Sequence, residues 1–442
     1  MSRTSAPLLE RHPGEADLLG LAAASPGFAQ LHTVRGWTVA LCDPLDVVTD
    51  LAELSAAASR LGWRAPRDPA LPPFTAGLAG FLTDTLSAGL LDLAEPAGRP
   101  APAPLPPLAF GLYDTAVLRD PDGEVWLAAG ELPGYSTVPA AQRLAGLRER
   151  VARAAPPPDG AAAPPPARVT ASLSRDGHAK AVRQAQEWIA AGDLYQLNLT
   201  LQLRAPWGLG GAALARRLWQ ATPGAAHAAW LRAPGGTEVV SASPETFLRV
   251  DGDRAVVRPI KGTRPRHADP RRDHAERLAL EASVKDRAEH VMIVDLERND
   301  LGRVAVAGGV TVEALAATEA LPTLWHLVST VSARLRPEVS LEDLLAAAFP
   351  CGSVTGAPKR MAVARIGALE PVQRGVYCGA TGVIGPGLVD LSVAIRTAVV
   401  HDGQASYGTG GGIVADSDPD AEWQEVLHKA EAFFSAANAR LP

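Results

Sequence analysis

The chain has 442 residues, of which 47% are hydrophobic, enough to bury a large core and to build two or three domains. Its 42 basic and 48 acidic residues are spread throughout and leave a net charge of −6, so there is no basic field to hold nucleic acid or an anionic membrane. Cys42, Cys351 and Cys378 are too few and scattered for a disulfide framework or a zinc site. The first residues lack the charged start and apolar run of a secretory leader, and no uncharged stretch is long enough to span a bilayer, so a cytoplasmic location is expected.

In chain order, residues 1–154 read as a mixed segment with strands near 35–41, 110–118 and 123–129 and helices over 50–62 and 138–154. The run APPPDGAAAPPPA can neither pack nor pair its backbone regularly, and a linker is placed over 155–169. In the segment 170–438, Ser174 and Asp176 precede a helix over 177–191 that Gly192 ends. A strand follows through 195–205, others at 237–250 and 254–260, then a long helix over 271–298 with Pro270 ahead of its first turn. Helices at 340–348 and 358–369, strands at 376–385, 389–400 and 404–408, and a last helix over 419–438 complete the chain. Helices and strands come in clusters and no internal repeat is present, which indicates an α+β fold.

Arg254 to Arg266, RAVVRPIKGTRPR, begins as a branched strand and delivers Lys261 into a Gly-Thr turn. Only five of the 42 basic residues are lysines, and arginine cannot replace an amine that must lose its proton and act as nucleophile or base. A solvated lysine in a basic turn is the alternative. Asp286 and Glu289 lie at i, i+3 on one helix. Glu422 and Glu425 repeat that spacing on the last helix, with Lys429 a turn further. Brought together, the two pairs would offer hard oxygens suited to Mg²⁺; apart, they are solvated surface acids.

Gly352 to Lys359, GSVTGAPK, leads into a helix, and Gly410, Gly411 and Gly412 offer a second set of backbone donors for an anion. The first is no Walker A loop, since Ala357 and Pro358 stand where its second glycine and its lysine would be. Arg396 lies in an apolar strand and needs a carboxylate, either a ligand's or that of Asp390. Glu245, in SASPETFL, is a buried proton donor or a turn acid.

Together, GDLYQLNL, SPETF, PIKGTRPR, DRAEHVMIVDLERNDLGRV, HLVSTV, AAFPCGSVTGAPK, YCGATG, AIRTA and YGTGGGIVADSDPDAEWQE resemble the chorismate-utilising enzymes, the family of anthranilate, aminodeoxychorismate, isochorismate and salicylate synthases. The resemblance covers about 170–438 and is looser over the amino-terminal segment. It implies large antiparallel β-sheets packed face to face with helices outside, both segments joining one globule. It also implies Glu289 and Glu425 as Mg²⁺ ligands, with Asp286 and Glu422 acting directly or through water. Gly352, Ser353 and Gly410 to Gly412 would bind the ring carboxylate, and Arg396 and Tyr377 the enolpyruvyl carboxylate. Glu245 would be the general acid, with His326 near the ring and Gln196, Thr263 and Lys429 among the substrate-contacting positions.

Gln196 replaces the water-activating lysine of isochorismate and salicylate synthases, and Lys261 stands where anthranilate synthases usually carry alanine. The resemblance thus implies the aminodeoxychorismate branch, with ammonia supplied by a separate glutamine amidotransferase subunit. Anthranilate or 2-amino-2-deoxyisochorismate formation is the alternative within the family. An inactive chorismate-binding regulatory subunit is the alternative outside it, against which Glu245, Lys261 and the two acid pairs argue. The tryptophan-site segments of anthranilate synthases appear altered, as LLER and TPGAA, so inhibition by tryptophan is not implied.

Overall fold

A computed structural model describes residues 6–25, 27–94, 96–153 and 164–441. Two sheets dominate. The first contains Leu8–His12, Val125–Ala129, Thr115–Arg119, Trp37–Leu41, Gln30–Val34, His227–Arg232, Glu238–Ser243, Thr397–His401, Gln404–Ile413, Gln196–Pro206 and Thr170–Ala171 in that order, with Gly356–Ala357 added to the start of Gln196–Pro206. The second runs Ile260–Pro265, Leu324–Leu335, Arg254–Arg258, Thr246–Asp251, Leu388–Val393, Ala380–Gly385, Gly77–Leu82, Leu108–Tyr113 and Asp46–Val48, and Ala305–Ala320 also pairs with Leu324–Leu335. The pairing within both sheets is antiparallel.

The sheets meet through apolar residues drawn from both, such as Phe81, Ala109, Leu231 and Val239. The outer face of the first packs on Pro419–Ala437 and Gly210–Ala221, through Phe433, Val426, Leu214 and Leu218. The outer face of the second packs on Leu51–Leu61, Val284–Gly302 and Leu341–Ala348. Strands from both sides of the expected linker alternate within each sheet: Gln30–Val34 pairs with His227–Arg232, and Gly77–Leu82 with Ala380–Gly385. Most of that linker lies outside the described residues, and its end, Ala167–Arg168, pairs in parallel with Ala439–Arg440.

Where sequence and structure differ, long-range pairing is the reason. The expected strands 110–118, 237–250 and 389–400 are each two strands, because at Asp114, at Pro244-Glu245 and at Ala394 to Arg396 the chain passes from one sheet to the other. The expected helix 271–298 is also two, Pro270–Glu281 and Val284–Gly302. Ser283 starts the second by accepting a hydrogen bond from the Asp286 amide at 3.2 Å. The long hairpin Ala305–Ala320 and Leu324–Leu335, not expected at all, is open along its first strand, where small residues and irregular register blur any alternation.

Candidate active site

Lys261 lies on Ile260–Pro265, a strand and not the expected turn. The register shifts between Lys261 and Thr263, with Gly262 at φ +72° in the shift. A β-carbon at Gly262 would stand 2.9 Å from Leu280 and 3.2 Å from Asp286, so only glycine permits this approach. The bulge turns the half-buried Lys261 inward, where its Nζ donates to the Ser353 carbonyl at 3.2 Å, and leaves Thr263 exposed. Burial, then the Lys429 cation, lowers the Lys261 pKa, while Glu289, Glu245 and Glu425 oppose them.

Glu245 sits where the chain leaves Glu238–Ser243 for Thr246–Asp251, and is 3% exposed. Its carboxylate accepts from the Ile260 amide at 3.4 Å and from the Ser353 hydroxyl. Burial pushes its pKa up to about 7 against the pull of Ser353 and Lys261, so the group can hold or release a proton near neutrality.

His326 is buried on Leu324–Leu335, both ring nitrogens without a hydrogen-bond partner among the described residues. Burial first, then Arg396, lowers its pKa to about 4, so the ring is neutral. Gln196 is fully buried, and both its amide atoms are likewise unpartnered. Arg396, at φ +50° in the crossing that was expected to be strand, makes no ion pair among the described residues. Asp390, its structural alternative, is taken by Arg35 at 3.4 Å and Arg249 at 3.3 Å. Tyr377 is buried with its ring over Gly408, where a β-carbon would come within 2.1 Å.

The Glu422 and Glu425 pair stands on a helix against the glycine strand, and the Asp286 and Glu289 pair faces it from Val284–Gly302 within electrostatic reach. A β-carbon at Gly411 would lie 3.2 Å from Glu422 and 3.4 Å from Glu425, and Glu289 and Glu425 are close enough for the charge of Glu425 to raise the Glu289 pKa alongside burial. Glu422 Oε2 is buried without a partner among the described residues, an oxygen available to a cation, while its Oε1 accepts from Ser417. Basic residues reach the other three: Arg264 meets Asp286 at 3.1 Å, Lys285 approaches Glu289 at 4.0 Å, and Lys429 holds Glu425 at 2.7 Å and the Gly410 carbonyl at 2.8 Å. The donor set suits a hard divalent cation, but no three of the acids converge ready-made among the described residues.

The glycine passages are corrected. Gly410, Gly411 and Gly412 belong to the strand Gln404–Ile413, paired with Gln196–Pro206, rather than to a loop. A β-carbon at Gly410 would come within 2.3 Å of the Leu199 carbonyl, and one at Gly412 within 2.5 Å of the Gln196 amide. Gly352–Val354 is a 3₁₀ turn, and the Gly352 amide, expected to face a ligand, donates instead to Glu297 Oε1 at 2.9 Å. Lys359 is buried on Asp300 at 2.5 Å. Sequence reasoning passed over Glu297; its signal was the spacing of Glu289, Ile293 and Glu297, which puts all three on one helix face.

Residues 36–435 match the model of the chorismate binding enzyme family. The chain belongs to that family. Among its relatives, anthranilate synthase component 1 of Streptomyces coelicolor is 40% identical over 87% of this chain and 77% of its own, and aminodeoxychorismate synthase component 1 of Salmonella typhimurium is 38% identical over 90% and 83%. The crystal structure of anthranilate synthase component I from Streptococcus pneumoniae superposes with a TM-score of 0.79 at 26% identity, covering 91% of this chain and 92% of that one. This chorismate-binding chain therefore has the anthranilate synthase component I-like fold expected from its motifs, and no described helix is long and apolar enough to cross a membrane.

Proposed function

We propose that this member of the family is the synthase component of an aminodeoxychorismate synthase, converting chorismate and ammonia to 4-amino-4-deoxychorismate. The observation that carries the reading is Lys261, an amine with a lowered pKa held against Ser353, with the neutral-range acid Glu245 sharing the same serine. In this mechanism Glu245 gives its proton to the C4 hydroxyl, which leaves as water while the neutral Lys261 amine adds at C2. Ammonia then forms a bond to C4 and the C2–N bond breaks, returning the electron pair to Lys261. Arg396 pairs with the enolpyruvyl carboxylate, His326 packs as a neutral ring beside it, and Gln196 supplies amide hydrogen bonds but no base for adding water.

Glu289 and Glu425, with Asp286 and Glu422 directly or through water, would hold Mg²⁺; when bound, the ion supplies positive charge for a carboxylate of the substrate. Ammonia would come from a separate glutamine amidotransferase subunit, as the name component 1 of the relatives supports. The 40% identical anthranilate synthase component 1 favours a second reading, amination at C2 with loss of pyruvate.

Incubating the purified chain with chorismate, Mg²⁺ and ammonium separates them. The first reading expects a product that retains the enolpyruvyl group by mass spectrometry; pyruvate release with anthranilate would replace it by the second. Lys261→Ala is expected to remove any covalent adduct trapped with chorismate and to weaken amination, and Lys261→Arg should not restore it, since guanidinium keeps its proton. A fully active Lys261→Arg enzyme would reduce position 261 to a source of charge.

A further inference from the structure

We infer that Glu297 is a positioning residue for Lys261 and Glu245, acting as the hydrogen-bond acceptor that fixes the turn against which both are held. The inference rests on the reading of those two as the reacting groups. Glu297 lies on Val284–Gly302, fully buried, two turns beyond Glu289. Its Oε1 accepts from the Gly352 amide at 2.9 Å and from Cys351 Sγ at 3.4 Å. The next residue of the turn, Ser353, stands 3.2 Å from Cys351 Sγ, offers its carbonyl to Lys261 and its hydroxyl to Glu245. One carboxylate thus anchors the turn from behind, and the turn's other face meets the two groups that react.

A β-carbon at Gly352 would fall 2.8 Å from Leu296 and 3.0 Å from Glu297 Oε1, so the turn is pressed onto this helix without room for a side chain. Val354 and Asn198 carbonyls accept from the buried Arg374, which ties the far end of the turn to the strand Gln196–Pro206. The turn is therefore held at both ends, and Glu297 is the end nearer the chemistry. Its Oε2 is buried without a partner among the described residues, which suits an acceptor carrying a proton on the other oxygen. Burial raising its pKa to about 7 agrees with that state. Glutamine can take the same place: its carbonyl accepts from Gly352, and its amide nitrogen sits where the unpartnered oxygen was.

Glu297→Ala and Glu297→Gln test this with chorismate, Mg²⁺ and ammonium as reactants and with amide exchange on the substrate-free chain. A lost anchor misplaces reacting groups without removing them, at a cost approaching about 100-fold in rate. We expect Glu297→Ala to lower kcat by about 10- to 100-fold with KM for chorismate changed far less, and amide exchange to quicken selectively in the peptide holding Cys351 to Val354. Glu297→Gln should restore both the rate and the protection. Wild-type kcat in Glu297→Ala would overturn the inference, as would a Glu297→Gln enzyme as slow as Glu297→Ala but with the turn still protected. Exchange quickening throughout the chain in Glu297→Ala would also overturn it, since that marks a general structural role. Exchange is read without turnover and kcat is read on whichever aminated product forms, so a wrong assignment of the product leaves this test intact.

Discussion

The chain passes between its two sheets at Asp114, at Glu245 and at Arg396, and the charged residues at these crossings are treated in opposite ways. Asp114 is compensated: its carboxylate meets Arg143 at 3.0 Å and Ser136 at 2.9 Å, and Arg143 also donates to the Asp114 and Gly130 carbonyls. Glu245 and Arg396 have no ion-pair partner among the described residues, although Glu245 is as deeply buried as Asp114. A buried charge left without its counterion costs stability, and under the proposed function the substrate supplies what the fold withholds at these two places. One backbone manoeuvre thus places a compensated acid in the first case and leaves a charged group without a counterion among the described residues in the other two.

The largest expected effect separates the two buried acids by chemistry. Glu245→Gln removes the proton donor without changing volume, and turnover should fall by about 10²- to 10⁴-fold, the range for a positioned general acid. Because a buried carboxylate is lost, the thermal midpoint should stay or rise. An active Glu245→Gln enzyme in a chorismate and ammonium assay would remove Glu245 from the reaction and make it a second Asp114.

Next in size is Arg396→Gln. A charged hydrogen bond to a carboxylate is worth roughly 1.5–3 kcal/mol, so kcat/KM for chorismate should fall by about 10- to 100-fold. Folding should be unaffected, since no described partner is orphaned. A large loss of thermal stability with unchanged kcat/KM would show that Arg396 is bound within the fold after all.

Asp114→Asn is expected to behave in the reverse sense. It leaves the largely buried Arg143 short of one anion, with Glu131 at 2.7 Å and two carbonyls still in place, so roughly 1–3 kcal/mol of stability should go. Denaturant unfolding measures this, and kcat should remain that of the wild type. A slowed enzyme of unchanged stability would erase the contrast on which the comparison stands.

The same contrast explains what was legible in the sequence. Helices announced by a capping side chain and a proline, such as Asp269-Pro270 and Asp418-Pro419, form where the residues indicate, because those signals act within a few positions. The sheet crossings were not legible: Ala394, Ile395 and Arg396 carry no turn residue, and only pairing with strands far along the chain breaks the run there. The glycines at 410 to 412 misled because glycine is poor in strands in general, whereas here its lack of a side chain lets the paired strand and the helix bearing Glu422 and Glu425 close on Gln404–Ile413. Lys261 and the acid pairs stood out by residue type and spacing, and the fold brings Lys261 within electrostatic reach of Glu289 and Glu425. For Glu297 the spacing gives only the helix face it shares with Glu289 and Ile293, since an acid in a run of charged residues shows its burial only when the helix is packed.

The smallest effect is a pH dependence of stability, and its sign follows from the shift at Glu245. The folded-state pKa is raised to about 7 from an ordinary 4.5, so between those values the folded chain binds a proton that the unfolded chain has already released. Below pH 4.5 both states carry the proton and no penalty applies. As pH rises toward 7 the folded state must either keep that proton against the solution or bury a charge, and stability falls until the penalty is complete above 7. Glu297, raised into the same range, adds a similar fall, but it does so in wild type and in Glu245→Gln alike. The difference between the two proteins therefore isolates Glu245: Glu245→Gln should gain on the wild type from pH 5 to pH 8, and the gain should level off above 7. Parallel stability curves across that range, measured by denaturant unfolding, would mean that Glu245 is charged in the folded chain at pH 5 and has a counterion, as Asp114 does.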